Sequence, residues 1–120
     1  MDYYYKLISK QDITRSFVIN QKALVHFFRI TLNTHGDESM IHLKYNNENF
    51  TPTRIVLHQD CRVLIQNRDF KMGQIAFFQR VGAAKFSLSI IKDEEKIKLI
   101  KRKLRNNYYI SNTLIETHAN

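Results

Sequence analysis

Apolar residues recur at every second position in short runs through most of this 120-residue chain, a period that selects strands with one dry face. Ile41, Leu43 and Tyr45 alternate with His42 and Lys44, and Phe86, Leu88 and Ile90 alternate with Ser87 and Ser89. Gly36-Asp37, Asn46-Asn47 and Gly82 break the runs with residues that accept turn geometry. Further strands are expected from Tyr4 to Ile8, Ser16 to Ile19, Arg29 to Leu32, Arg54 to Leu57 and Ile75 to Arg80. Two segments leave this period. Lys22 to Phe28 spaces Leu24, Phe27 and Phe28 as two helical turns, and Asp60 to Asn67 does the same with Val63 and Leu64.

The pattern changes after Lys92. Asp93-Glu94-Glu95 sets negative charge at the positive end of a helix, and Lys96, Lys98, Lys101, Arg102, Lys103 and Arg105 follow beside an Ile97, Ile100, Leu104 stripe. The expected organisation is a β body over 1–92, with a basic helix and a tail, or a linker to a missing portion, over 93–120. The 120-residue chain is long enough to bury one core without disulfides or metals.

Nineteen Lys and Arg against eleven Asp and Glu give a formal charge of +8. The segment from Asp93 onward holds six basic and four acidic residues, so +6 remains on the β body. That excess favours polyanions through counterion release and steering. No apolar run approaches the ~20 residues of a spanning helix, and the start lacks the basic flank and apolar segment of a secretory signal. No membrane role and a cytoplasmic location are expected. A lone Cys61 agrees with a reducing compartment and reads as a small core residue.

Several chemistries lack their residues. The histidines, His26, His35, His42, His58 and His118, are dispersed and none pairs with Cys61 at a zinc-finger spacing. Gly36, Gly73 and Gly82 form neither a phosphate loop nor a Gly-x-Ser-x-Gly elbow. No cofactor, metal or catalytic residue is expected. Glu94-Glu95-Lys96 spells the Glu-x-Lys half of a metal-dependent nuclease site, with Asp69 the nearest upstream acid, but at the start of a helix these acids also serve the helix dipole.

Three blocks carry a resemblance. Ser9-Lys10-Gln11-Asp12-Ile13-Thr14-Arg15-Ser16-Phe17-Val18-Ile19-Asn20-Gln21-Lys22 leads into Ala23-Leu24-Val25-His26-Phe27-Phe28. Leu43-Lys44-Tyr45-Asn46-Asn47-Glu48-Asn49 leads through Phe50-Thr51-Pro52-Thr53 to Arg54-Ile55-Val56-Leu57. Phe70-Lys71-Met72-Gly73-Gln74-Ile75-Ala76-Phe77-Phe78 follows. In this order they resemble the B-three DNA-binding pseudobarrel over Tyr4 to Lys92, with Asn20-Gln21 standing where Pro-Lys is usual and Gln74 where Asp is usual. Within that family the Tyr-Tyr-Lys-Leu-x-Ser-x-x-Asp opening is most similar to prokaryotic restriction-enzyme target-recognition domains of the EcoRII, BfiI and LlaJI/McrB-like kind. The resemblance implies a mainly β fold, a seven-stranded open pseudobarrel with two short helices and the C-terminal basic helix appended.

It also implies sequence-specific double-stranded DNA binding through two arms in the major groove, with nuclease or GTPase activity in other domains or subunits of a restriction complex. The first arm would be Lys10, Gln11, Asp12, Thr14, Arg15 and Ser16 with Asn20, Gln21 and Lys22; the second, Tyr45, Asn46, Asn47, Glu48, Asn49, Thr51, Thr53 and Arg54, with Lys44 beside it. The chemistry suits: Arg15 and Arg54 fork onto guanine, Gln11, Asn20, Gln21, Asn46, Asn47 and Asn49 address adenine, and Asp12 or Glu48 accepts from cytosine. Lys10, Lys22 and Lys44 hold phosphates. Each has a structural alternative. The asparagines are turn formers, Asp12 a turn cap, Arg54 half of a surface ion pair, and Thr14, Ser16, Thr51 and Thr53 exposed strand edges. The aromatics fall within apolar patterns and read as core. An RNA-binding β domain, a small nuclease using Glu94 and Lys96, and a protein-interaction domain with incidental charge are the rival readings.

Overall fold

The computed structural model describes residues 2–65 and 69–117. In chain order the elements are β1 (Tyr3–Leu7), α1 (Lys10–Arg15), β2 (Phe17–Ile19), α2 (Ala23–Phe28, π-helical), β3 (Glu38–Tyr45), β4 (Thr51–Leu57), β5 (Cys61–Val63), β6 (Ile75–Gly82), β7 (Lys85–Ile91), α3 (Glu94–Lys101) and β8 (Tyr108–Ser111). The strands form one sheet in the order β2-β5-β4-β3-β7-β6-β1-β8, antiparallel except where β3 runs parallel to β7. The sheet curls into an open half-barrel. Tyr4 of β1 and Phe17 of β2, near opposite ends of the order, enter one core with Phe78, whose ring lies 5.4 Å from Tyr4 and 5.8 Å from Phe17.

α2 fills the concave side. The Asn20 side chain accepts from the Ala23 amide at 2.8 Å, and Ala23, Leu24, Phe27 and Phe28 are all buried. At the other end Arg29 turns left-handed, φ 59°, and the Arg80 guanidinium donates to the Phe27 carbonyl. Arg80 packs over the Phe86 ring; burial, then the Arg29 charge, lowers its pKa.

A second apolar cluster covers the convex side of β1 and β6. Tyr5, Ile75 and Ile100 are buried there, packed by Phe77, Ile97, Leu104, Tyr109 and Ile115. The Tyr5 hydroxyl accepts from the Ile115 amide at 3.0 Å. Residues beyond 92 therefore supply both a cover and, through β8 paired with β1, an edge strand.

Six of the seven expected strands form, and the architecture is mainly β. Four expectations need correction. The strand count is eight. Arg29 to Leu32 is not a strand, because Arg29 is the left-handed cap of α2. Asp60 to Asn67 is not a helix over its described part: Cys61 and Val63 point inward on either side of Arg62 and pair with β2 and β4, while Gln66 and Asn67 lie outside the described residues. The appended basic helix is absent as such: α3 spans eight residues with three lysines and two glutamates, buries Ile100, and is followed by a strand of the same sheet.

Candidate nucleic-acid interface

The first arm is organised around one buried carboxylate. Asp12 is 1% exposed. Its Oδ2 accepts from Lys6 Nζ at 2.5 Å, the Ser9 amide at 2.8 Å and Ser9 Oγ at 3.0 Å, and its Oδ1 accepts from the Val18 amide at 2.8 Å. Ser9 to Asp12 has the spacing of a helix-opening capping box, and here the carboxylate also joins β1 to β2 across the open seam of the half-barrel. Both oxygens are occupied inside the protein, so the turn-cap alternative holds for Asp12 and its carboxylate does not face the surface.

The rest of that arm is disposed around this joint. Lys10, Gln11 and Thr14 lie exposed on α1, with the Thr14 hydroxyl donating to the Lys10 carbonyl at 3.2 Å; Arg15 closes the helix. Ser16 takes φ 102° and donates to the Ile65 carbonyl at 3.4 Å. Asn20, Gln21 and Lys22 are exposed, although the Asn20 carbonyl oxygen is engaged by α2.

A groove about 230 Å³ in volume runs along the seam and is lined by Gln11, Val18 and Asn20 on one side and Asn106, Asn107 and Tyr108 on the other. It continues into a second of about 390 Å³ that holds Lys22, His26, Arg105 and Asn106. Among the described residues no carboxylate lines either groove. Among the described residues Lys10, Lys22 and Arg105 have no ion-pair partner, whereas Lys6, Arg54, Arg62, Lys92 and Lys98 do. Arg105, Asn106 and Asn107 were not among the expected site residues; their place is set by β8, whose register puts the turn before it beside the end of β1.

The second arm splits three ways. Asn46 to Asn49 form the exposed β3–β4 turn, where Asn46 takes φ 52° and donates its amide to the Leu88 carbonyl at 2.9 Å, the turn-former role, and the Glu48 amide donates to the Tyr45 carbonyl at 3.0 Å. Tyr45, Thr51 and Thr53 line a separate groove of about 320 Å³ with Leu64 and Ile65. Thr53 is buried and Thr51 exposed, and their hydroxyls donate to the Thr51 and Leu43 carbonyls. Arg54 sits away from the tip and faces Glu38 at 3.4 Å, the ion-pair alternative, whereas Lys44 lies next to the turn at the end of β3, its ammonium 5.8 Å from the Phe50 ring.

α1, the β3–β4 turn and the Asn106-Asn107 turn share one rim, the end at which β1, β3 and β7 all finish. Asn20 to Lys22 lie further along the seam. Of the residues in the nuclease alternative, Asp69 pairs with Lys92 at 3.7 Å, and Glu94 and Lys96 lie in the first turn of α3, capped by Asp93, whose Oδ1 accepts from the Lys96 amide at 2.9 Å. No helix among the described residues is long and apolar enough to cross a membrane.

The fold has a counterpart among solved structures. The N-terminal domain of Helicobacter pylori LlaJI.R1 superposes with a TM-score of 0.68 at 15% identity, over 93% of this chain and 100% of that one. More than the 1–92 body is therefore shared. No protein-family model and no curated protein matches the chain.

Proposed function

We propose that this chain is a non-catalytic target-recognition module that binds duplex DNA sequence-specifically and lends that specificity to catalytic domains or subunits of a restriction complex. The observation that carries the reading is the seam: amide side chains and unpaired cations from both edges of the half-barrel line two adjoining grooves with no carboxylate among their described lining residues. Cations without internal partners are the ones free to displace counterions from a phosphate backbone. The three sequence blocks and the fold in common with the LlaJI.R1 domain support the same reading.

In this reading Lys10 and Lys22 hold phosphates and fix register, while Gln11, Gln21 and the tip residues Asn47 and Asn49 address base edges. Arg15 remains the guanine-reading candidate of the first arm. Asp12 builds the arm without touching DNA. Arg54, committed to Glu38 and set back from the tip, contributes less to readout than Arg15. Phe17, Phe27, Phe28, Phe78 and Phe86 are buried and unavailable for stacking on single-stranded bases, while Tyr108 and Tyr109 border the grooves, so competition with single-stranded RNA is part of the test.

The test is selection from a randomised duplex pool, followed by titration of the selected and a scrambled duplex at several salt concentrations. Affinity is expected to fall with a log-log slope of roughly 0.9 per phosphate contact, with the selected duplex preferred throughout. Lys22→Ala should weaken both duplexes alike and make the slope shallower by about 1. An affinity insensitive to salt, or preference for single-stranded RNA in direct competition, refutes the proposal.

A further inference from the structure

We infer that the turn entering β8, Arg105-Asn106-Asn107, is a third DNA-reading element, with Arg105 on phosphate and the two asparagine amides on base edges. The inference rests on the duplex-binding reading above and extends it to a segment outside both arms.

The turn is rigidly built. The Arg105 amide donates to the Tyr108 carbonyl at 2.9 Å and the Tyr108 amide returns to the Arg105 carbonyl at 3.2 Å, closing a two-residue hairpin. Asn106 and Asn107 take φ 54° and 68°, the double left-handed geometry of the tightest β-hairpin turns. The Leu7 amide donates to the Asn107 carbonyl at 2.9 Å and fastens the turn to the end of β1. A backbone held on both sides presents its side chains at little ordering cost to an interface.

What the turn presents is polar, and nothing inside the protein uses it. Asn106 and Asn107 are exposed, and among the described residues neither side-chain amide has a hydrogen-bond partner. They face Gln11 and Asn20 across the seam, and Arg105 shares a groove with Lys22. An asparagine amide matches adenine N6 and N7 bidentately; an arginine fork matches phosphate oxygens. Glycine is accepted at both turn positions as asparagine is, so the amides can be removed with the turn kept. Because the seam brings them opposite the first arm, a duplex seated on that arm meets both.

Glycine also supplies the decisive variant. Asn106→Gly with Asn107→Gly in the full chain removes both amides while keeping the turn, so its melting temperature should equal or exceed the parent's. Randomised-duplex selection should then show relaxed preference at one or two base positions, and the parent's selected duplex should lose roughly 5- to 150-fold of its advantage over single-base variants there. Arg105→Ala should weaken selected and scrambled duplexes alike and reduce the salt slope by about 1. A folded glycine variant that selects the parent's sequence with the parent's discrimination overturns the turn's role and leaves the two-arm reading standing. Unchanged affinity in Arg105→Ala does the same. A parent chain that selects no sequence at all overturns both.

Discussion

Replacing Asp12 should cost this protein most of its stability, because one carboxylate serves three separate segments. In Asp12→Ala the ammonium of Lys6, whose side chain is only 12% exposed and which lies 2.5 Å from Oδ2, is left without its counter-charge. Breaking a buried pair in this way costs about 3 to 5 kcal/mol. The Val18 amide at 2.8 Å from Oδ1 also loses its acceptor, and an orphaned, poorly solvated N–H adds about 1 to 3 kcal/mol. The two losses share one carboxylate and are not simply additive, yet together they approach the ~5 to 15 kcal/mol that holds a domain folded.

The assay is urea unfolding followed by circular dichroism on the parent, Asp12→Ala, Lys6→Met and the double variant. The double variant should recover more than half of the Asp12→Ala loss, since it removes the stranded charge and leaves only the amide unsatisfied. An Asp12→Ala cost below about 1 kcal/mol, or a double variant no more stable than Asp12→Ala, would show that this carboxylate does not tie the seam. Asp12→Asn that kept stability but lost duplex discrimination would return Asp12 to the reading surface.

Two further outcomes follow from burial. Ile100→Ala, at the centre of the convex cluster, should lower stability by about 2 to 5 kcal/mol in calorimetry, and a chain cut after Lys92 should lose the native fold because Tyr5, Ile75 and the β1 edge are uncovered; a stable, well-dispersed fragment would contradict the role given to α3 and β8. Burial, with Asp60 adding to it, pushes the Cys61 thiol up to about 11, so it should resist alkylation at pH 8 until urea is added. The same shift makes its contribution to stability complete below the unfolded-chain value of 9.0 and progressively lost as pH rises from there through 11; equal labelling rates in native and denatured protein would count against it.

Alternation revealed β3 and β7, whose pattern has one dry face, and missed β8, which is covered on both. β3 and β7 show their period because His42, Lys44, Ser87 and Ser89 are not core residues. β8 has no such contrast: Tyr108 and Ile110 pack on the main core and Tyr109 on the convex cluster, so Tyr-Tyr-Ile reads as an undirected apolar run. β5 is hidden differently. Three residues with two apolar positions, running on into Leu64 and Ile65, fit a helical turn as well as a strand until pairing with β2 and β4 decides.

The candidate site follows the same division. Ser9-x-x-Asp12 is visible in the sequence as a cap, but its bonds to Lys6 and Val18 exist only because β1 and β2 approach each other across the seam. Gln11 and Asn20 are drawn from one end of the chain and Arg105 to Asn107 from the other, and no local spacing connects them. They meet because β8 pairs with β1 in a single register, Lys6 opposite Tyr108, which leaves the Asn106-Asn107 turn at the end of β1. On an unpaired tail the same residues would add charge without a fixed position, enough to attract a polyanion but not to tell one base pair from another. The fixed position of these side chains therefore depends on an apolar fact, the packing of half-buried Tyr109 and buried Ile100 in the convex cluster.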